Sequence, residues 1–520
     1  MEDIKIKTAL ISVYDKTGIV DFAKELNSMG IKIFSTSKTA KLLQDNNIKV
    51  IKIEDYTSFP EILDGRVKTL NYKIFAGILA VPESKKHQEE LQKNNIEIIN
   101  MVVVNLYPFE SMLKKNLPID EMIEFIDIGG NSLLRAAAKN FKYVLPVYDK
   151  KYYNEIIKLL KENDQKIPYE FRIKLASETF AFTSKYDSLI SSYLNKKLKL
   201  EHFPEFFNIS LEKIMDLRYG ENPHQKACWY KIGELDSSNF KQLWGKELSY
   251  NNIFDLYAGV SLISELSNNF ANKPSAVIIK HRNPCGVAIG KNLKSAYIKA
   301  LNSDPVSAFG GIVVLNQVVE KNLAKLLNEK FYEIIVAKNF TKDALEILKS
   351  KKNLRIIKIS NFNKFLKSDF IINSCANTVL IQTNDNILWQ EPEAVTEIKP
   401  TKKDIEELKF AWIVCKYVKS NAIVYTKNFQ LLGMCGGQTS RVDAVKFASL
   451  KSKQLNHNLN NSYLASDAFF PFPDSVKIAT KYKVKAIIQP GGSIRDPEVI
   501  KEANKNKIIM VFTKIRHFLH

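Results

Sequence analysis

The chain has 520 residues, 45% of them hydrophobic, which at roughly 150 residues per domain means two to four domains of ordinary globular composition. No apolar run reaches the roughly 18 residues of a membrane span, and the opening Met1-Glu2-Asp3-Ile4-Lys5 has no apolar signal core, so neither a membrane-spanning nor a secreted protein is expected. A formal net charge of +20 does not by itself indicate nucleic acid: nine of the 76 basic residues are Arg, and Lys runs along the whole chain, where a nucleic-acid surface would cluster charge and favour bidentate Arg.

In chain order, residues 8–13 predict a short buried strand. Residues 18–29 carry Ile19, Phe22, Ala23 and Leu26 on one helical face, Gly30 closes that helix, and residues 31–34 begin the next strand. Ser35 and Thr36 lead into a helix through Leu43, and residues 48–53, 76–81 and 100–106 are further predicted strands. Strands alternating with helices predict a parallel α/β sheet, whose ligands sit at the carboxyl ends of strands. Ser12, Ser35 and Asn105 fall at or just after such ends. Residues 150–198 predict a mostly helical stretch. The basic, proline-ended segment 195–204 predicts a boundary, dividing the chain into domains 1–198 (core about 1–147) and 199–520. In the second domain, residues 276–279, 311–315, 422–425 and 486–488 are apolar runs of strand length; there is no short-period repeat.

The polar segments of the first domain are DGRVKTL from Asp64, NLYPF from Asn105 and IDIGGN from Ile126. Arg66, Lys68 and Thr69, with Ser35, Thr36 and Lys16, can hold a phosphate through charge-assisted bonds and loop amides, although a turn with surface lysines reads equally well from residues alone. In the second domain Lys280 and His281 follow a predicted strand and precede an Asn-Pro turn. A strand end holds side chains firmly, and imidazole titrates near neutral pH, so His281 is a candidate general base with Lys280 as an anion-stabilising neighbour. The segments LRYGENPHQ, DPVSAFGG, KSNAIVY, ASDAFFPF and QPGGSIRD join them as polar or glycine-rich loops. The five cysteines form no CxxC pair, and Walker A, GxGxxG and HExxH motifs are absent, which points to a reducing cytoplasm and to chemistry without zinc, nucleoside triphosphate or nicotinamide.

Taken together, these segments, with GKELSYNN, KHRNPCGVA and the terminal RHFLH, resemble one family from Leu10 to His520: the bifunctional phosphoribosylaminoimidazolecarboxamide (AICAR) formyltransferase and IMP cyclohydrolase. The resemblance implies an α/β fold. Its N-terminal cyclohydrolase would be a methylglyoxal-synthase-like parallel sheet, and its C-terminal transformylase two cytidine-deaminase-like subdomains without catalytic zinc. It implies a cytoplasmic homodimer with transformylase sites at the interface, 10-formyltetrahydrofolate as co-substrate, small-molecule partners only, and no metal. For formyl transfer it implies His281 as base, Lys280 at the oxyanion or leaving nitrogen, and Asn421 orienting the carboxamide. Arg218, Tyr219, Gly310, Glu333, Arg441, Phe469, Ser493, Ile494 and Arg516 match nucleotide or other ligand contacts. For ring closure it implies Lys139 as proton donor or acceptor, Asp127 in the base role, and Lys68 with Tyr107 at the formyl oxygen. Ser12, Lys16, Ser35, Thr36, Arg66, Thr69 and Asn105 match nucleotide and phosphate contacts.

Three departures fall in the first domain. The family's STGGT loop reads Ser35-Thr36-Ser37-Lys38-Thr39, so a positive φ at either former glycine would cost energy. KTLHPKIHGG loses both histidines over residues 68–77, and the usual Pro after Gly130 is Asn131. The competing readings are a transformylase alone, a nucleic-acid binder, and a methylglyoxal synthase, the last leaving the C-terminal 320 residues without a task.

Overall fold

The computed structural model describes residues 2–198, 203–233 and 238–520, so residues 199–202 of the predicted boundary lie outside the described residues. It divides into two compact units, Met1–Leu211 and Glu212–His520. No helix among the described residues is long and apolar enough to cross a membrane.

The first unit is built on a five-stranded, wholly parallel sheet in the order Ile51–Lys52, Lys32–Ser35, Thr8–Val13, Met101–Asn105, Leu145–Val147. Successive strands are added outward on one side of Thr8–Val13 and then on the other, so the direction of winding reverses between Thr8–Val13 and Met101–Asn105. The crevice of such a sheet opens at that switch, at the carboxyl ends of those strands, where Ser12 and Asn105 sit. The long helix Tyr169–Leu198 packs on Gly129–Lys139 and on the sheet. Two expectations are corrected. Residues 76–81 are not a strand but lie largely in the helix Tyr72–Leu79, whose buried Ile74, Gly77 and Ile78 repeat at helical spacing and whose start is capped by Asn71; a short apolar run cannot by itself separate the two periods. The run 48–53 yields only the strand Ile51–Lys52, and Ile53 begins a helix.

The second unit contains a sheet of twelve strands whose two halves repeat one topology. In the first half Ser275–Lys280 pairs antiparallel with both Asn283–Ile289 and Ile312–Val319, and parallel strands Ile334–Phe340 and Arg355–Ile359 follow. In the second, Ile423–Lys427 pairs antiparallel with Gln430–Cys435 and Tyr463–Ser466, and parallel strands Ala486–Gln489 and Ile509–Phe512 follow. Each half carries its own buried cluster on the outer face, and the helices Tyr250–Asn269 and Lys402–Lys416 share a third between the halves. The halves join edge to edge, Ala288 opposite Gln430, with the Ile289 amide donating to the Phe429 carbonyl at 2.9 Å. Lys416 and Tyr417 from one half grip Glu265 of the other at 3.1 and 2.6 Å.

One buried cation locks the first unit. Arg172 is fully buried, and its guanidinium donates to the carbonyls of Phe141, Ile167, Lys142 and Glu2. Arg172→Leu leaves those acceptors without donors and should lower stability by about 3 kcal/mol or more in urea titration. A loss under about 1 kcal/mol would show that the carbonyls find other partners.

Candidate functional sites

The crevice of the first unit gathers cations around the start of the helix Ser37–Asp45. Ser37 and Lys38 form its first turn, and neither has positive φ, so the missing glycines introduce no left-handed strain there. The Ser12 and Thr36 hydroxyls lie 3.0 Å apart. Lys16 donates to Thr39 Oγ1 at 2.7 Å and to the Val13 carbonyl. Burial, reinforced by the charges of Lys38 and Lys68, pushes the Lys16 ammonium down to about 8. Ser35 is fully buried, and its hydroxyl ties its strand to the Ile11 carbonyl at 2.8 Å; it is a strand clamp, not an open phosphate contact. Asn105 likewise shapes the crevice wall: its side chain accepts from the amides of Tyr14 and Asp15 and donates to the Asp15 carbonyl.

Three of the four residues matched to ring closure come together. Asp127 is held by the amides of Gly130, at 2.7 Å, and of Tyr107. Burial outweighs these bonds and pushes its carboxyl above the usual range, with Lys68 acting in the opposite sense. Gly130 is required by close approach, since a Cβ there would stand 2.6 Å from Asp127 Oδ2. Tyr186, on the long helix, accepts from the Asp127 amide at 2.9 Å and donates to the Phe125 carbonyl at 2.6 Å, fixing the loop from behind. The Tyr107 phenol is raised by burial, with Lys68 lowering and Asp127 raising it, and its ring stands edge-on to Tyr14 at 5.5 Å. Thr69 is buried, its hydroxyl against Gly129. Arg66 is exposed and paired with Glu124. Lys139 does not join the group. It is exposed at the far end of the helix Gly129–Lys139, roughly 15 Å from Gly129 at 1.5 Å per residue.

In the second unit the matched residues other than Arg218 and Tyr219 share one rim of the twelve-stranded sheet. The antiparallel joint between the halves sets this. The turn after Ser275–Lys280, the segment before Ile423–Lys427, and the loops after Tyr463–Ser466 and Ala486–Gln489 all emerge on the same side. His281 and Arg282 form a two-residue hairpin turn with φ of 51° and 63°, the twist that suits such turns. Both are exposed. Asp255 lies beneath them, accepting from the Arg282 amide at 2.6 Å; burial raises its carboxyl, and the His281 and Arg282 charges partly oppose the rise. Lys280 donates to the Phe309 carbonyl at 2.6 Å, beside Gly310. Glu333 follows on the same rim, tied by its amide to the Gly311 carbonyl and by its carboxylate to the buried Arg355 at 2.7 Å.

Asn283 joins this turn to the second half, donating to the His281 carbonyl at 3.1 Å and accepting from the Lys419 amide at 3.2 Å. Asn421, two residues on, gives both amide hydrogens to the carbonyls of Gln438 and Thr439, and its oxygen accepts from Arg441 at 2.6 Å. Its remaining capacity is one lone pair, so it can meet a ligand as an acceptor only. Arg441 also holds Ser466 Oγ and the fully buried Asp467, whose other oxygen accepts from Ser420 at 2.6 Å. The C-terminal tail closes this network: Ser420 and Leu519 exchange hydrogen bonds, and the His517 amide donates to the Asp467 carbonyl. That brings Arg516 to the rim, stacked on Phe518 at 4.1 Å. Phe469 is partly exposed, Ser493 is tied to Asp496, and Ile494 is fully exposed. Arg218 and Tyr219 stack on each other at 5.1 Å at the end of the strand Leu211–Leu217, which belongs to a separate two-stranded sheet, with no described hydrogen bond to the rim.

Sequence reading passed over Glu61, Tyr186, Asp255, Asn283 and Lys419. Asn283 and Lys419 lie inside quoted segments, so adjacency was the available signal. Tyr186 and Asp255 are distant in sequence from what they touch, and nothing in their spacing marks them; Glu61 lies seven residues before Lys68, just outside the quoted segment from Asp64.

Comparison with known proteins places these sites in a family. A model described as AICARFT/IMPCHase bienzyme matches residues 137–451, and one described as MGS-like domain matches residues 18–132. Proteins described as bifunctional purine biosynthesis protein PurH are similar over 99% of this chain and the whole of their own length: 49% identical in Caldicellulosiruptor saccharolyticus, 48% in Persephonella marina and 48% in Fusobacterium nucleatum. A solved structure, the crystal structure of ForH, covers 36% of this chain and 96% of its own at 32% identity with a TM-score of 0.33, too low to bear on the fold.

The lowered Lys16 ammonium gives the first crevice a pH signature. Its charged form, which an anion requires, is present below about 8 and lost above it. Affinity for a nucleoside monophosphate, measured by calorimetric titration between pH 7 and 9, should fall by up to roughly tenfold per pH unit above that point. Constant affinity across the range would remove Lys16 from the anion site.

Proposed function

The chain belongs to the AICARFT/IMPCHase bienzyme family, and on that premise we propose how its two units divide the work. The protein is a bifunctional AICAR formyltransferase and IMP cyclohydrolase, catalysing the last two steps of IMP synthesis. In our reading residues 1–198 close the ring and residues 199–520 transfer the formyl group, using 10-formyltetrahydrofolate as co-substrate. The observation that carries the second assignment is the Asn283 bridge, which ties the His281 turn to the segment that leads into the Asn421–Arg441 network.

The arylamine of AICAR is a weak nucleophile because its lone pair is delocalised into the ring. As its nitrogen bonds to the formyl carbon, His281 takes the proton, and the carbon's bond to the folate nitrogen breaks as that nitrogen is protonated. Lys280, released from the Phe309 carbonyl, stabilises the oxyanion between these events. Asn421, an acceptor only, receives an N–H of the substrate carboxamide, while Arg441 holds its oxygen in place. The aromatic and apolar side chains exposed on the rim, Phe309, Phe469 and Ile494 among them, suit the flat ring of a folate. No step in this scheme calls for a metal ion.

Ring closure joins the carboxamide nitrogen to the formyl carbon and expels the formyl oxygen as water, so orientation supplies much of the help. The raised Asp127 carboxyl suits proton exchange with the amide, and Lys68 with Tyr107 suits the oxygen that leaves. Ser12, Lys16 and Thr36 suit the phosphate. Lys139 reaches this centre only if a second copy of the chain brings it, which accords with the homodimer the family resemblance implies. The free thiols among the five cysteines accord with a cytoplasmic setting.

The two steps separate by substrate. His281→Ala should lose formyl transfer by roughly 10²–10⁴-fold and still convert supplied formyl-AICAR into IMP. Lys139→Ala should do the reverse, forming tetrahydrofolate from AICAR with no IMP. If both variants lose the same step, the division between the units is wrong.

A further inference from the structure

The loop between Glu61 and Lys68 is a closed hairpin. Ile62 and Val67 pair across it, each amide donating to the other's carbonyl at 3.3 and 3.4 Å. That pairing puts Glu61 and Lys68 side by side at its mouth, Lys68 Nζ lying 2.9 Å from Glu61 Oε1. The second oxygen, Oε2, accepts from the Ser37 hydroxyl at 2.5 Å, in the first turn of the cation-lined helix. Ser37 Oγ also lies 2.9 Å from Glu54 Oε1, so the two carboxylates compete for its one hydrogen, with Glu61 the nearer. The space for the pair is reserved by Gly65, whose φ is +88°. A Cβ there would stand 2.3 Å from Glu61 Oε1 and 2.6 Å from Lys68 Cε.

We propose that Glu61 is a positioning residue for ring closure: one carboxylate holds the Lys68 ammonium and the Ser37 hydroxyl together, so the lysine and the anion-binding helix start form a single unit. This rests on the assignment of Lys68 to ring closure made above. Two physical consequences follow. Lys68 has a fixed place from which to meet the departing oxygen. Lys38 and Lys68 also have a counter-charge before any anionic substrate arrives, and their charges in turn help hold the Glu61 carboxyl below its ordinary range. Ser37 is the feature of this chain that completes the link, since a glycine there, as in the STGGT pattern, has no hydroxyl to give.

The test is steady-state kinetics of the full-length protein on formyl-AICAR, with formyl transfer to AICAR as the check on folding. Glu61→Gln keeps the shape and a bond to Ser37 but loses the ion pair. It should lower kcat for ring closure by up to roughly 10²-fold through misplacement of Lys68, change KM little, and move the alkaline limb of the kcat–pH profile to lower pH. Ser37→Ala, a substitution the helix accepts readily, should move kcat the same way by a smaller factor, and the double variant should lose less than the product of the two. Glu61→Asp should recover part of the pH profile. If Glu61→Gln retains wild-type kcat and pH profile, or loses activity with an unshifted profile and additive behaviour toward Ser37→Ala, Glu61 does not position Lys68. Lys68→Ala separates this from the reading beneath it. Full ring closure by Lys68→Ala sinks both, whereas an inactive Lys68→Ala beside an unaffected Glu61→Gln sinks only the role of Glu61.

Discussion

The antiparallel joint between Ala288 and Gln430 is the constraint on which the second unit's chemistry depends. Two half-sheets of the same topology can be joined along an edge in either sense. Joined antiparallel, the hairpin turn of the first half and the strand entrance of the second emerge together. The Asn283 side chain then needs to span only one short gap to reach the Lys419 amide. Were the halves joined the other way, His281 and Asn421 would lie on opposite rims, and no side chain could connect them. The Glu265, Lys416 and Tyr417 cluster holds the same joint from the helical face.

Around this joint the protein treats its two halves differently. Asn421, Arg441, Ser466, Asp467 and Ser420 are linked by hydrogen bonds and closed over by the C-terminal tail. A buried charge such as Asp467 is tolerable only with that degree of pairing, and the pairing leaves little freedom for the side chains involved. His281 and Arg282 stand exposed on a two-residue turn, supported from below by Asp255. A densely hydrogen-bonded wall therefore stands beside an exposed imidazole, the group proposed above to take the proton. That is a reasonable division for a reaction in which one partner must be held and the other must pass a proton on.

The first unit reaches a related end by different means. Its site lies where the winding of a parallel sheet reverses, and the working groups come from loops that cross the crevice. Close packing with glycine holds them: Gly130 against Asp127, and Gly65 against the Glu61 and Lys68 pair. Each admits a polar group to a position that a Cβ would occupy. Burial acts on both charges there, raising the Asp127 carboxyl and lowering the Lys16 ammonium.

Much of this was legible in the sequence because it is local. Alternation of short apolar runs with amphipathic stretches marked the parallel sheet of the first unit, and strand ends marked Ser12, Asn105 and the Lys280–His281 pair. Long polar segments carried the family resemblance. What stayed hidden was non-local or ambiguous in period. The run 76–81 is apolar in a way that fits strand and helix alike, and only packing of Ile74, Gly77 and Ile78 on one face makes it helical. The two alike halves of the second unit were expected only through the family resemblance; the antiparallel joint between them became visible with the strand pairing. Ser35 and Asn105 were correctly placed but serve to clamp strands and shape a loop, which depends on what stands opposite each side chain. The contact of Glu61 with Ser37 and that of Asp255 with the Arg282 amide could be found only once the chain had folded. The sequence alone determined which residues were chemically able to act; the tertiary structure decided which of them meet, because hydrogen bonds and ion pairs act over a few ångströms in space and take no account of separation along the chain.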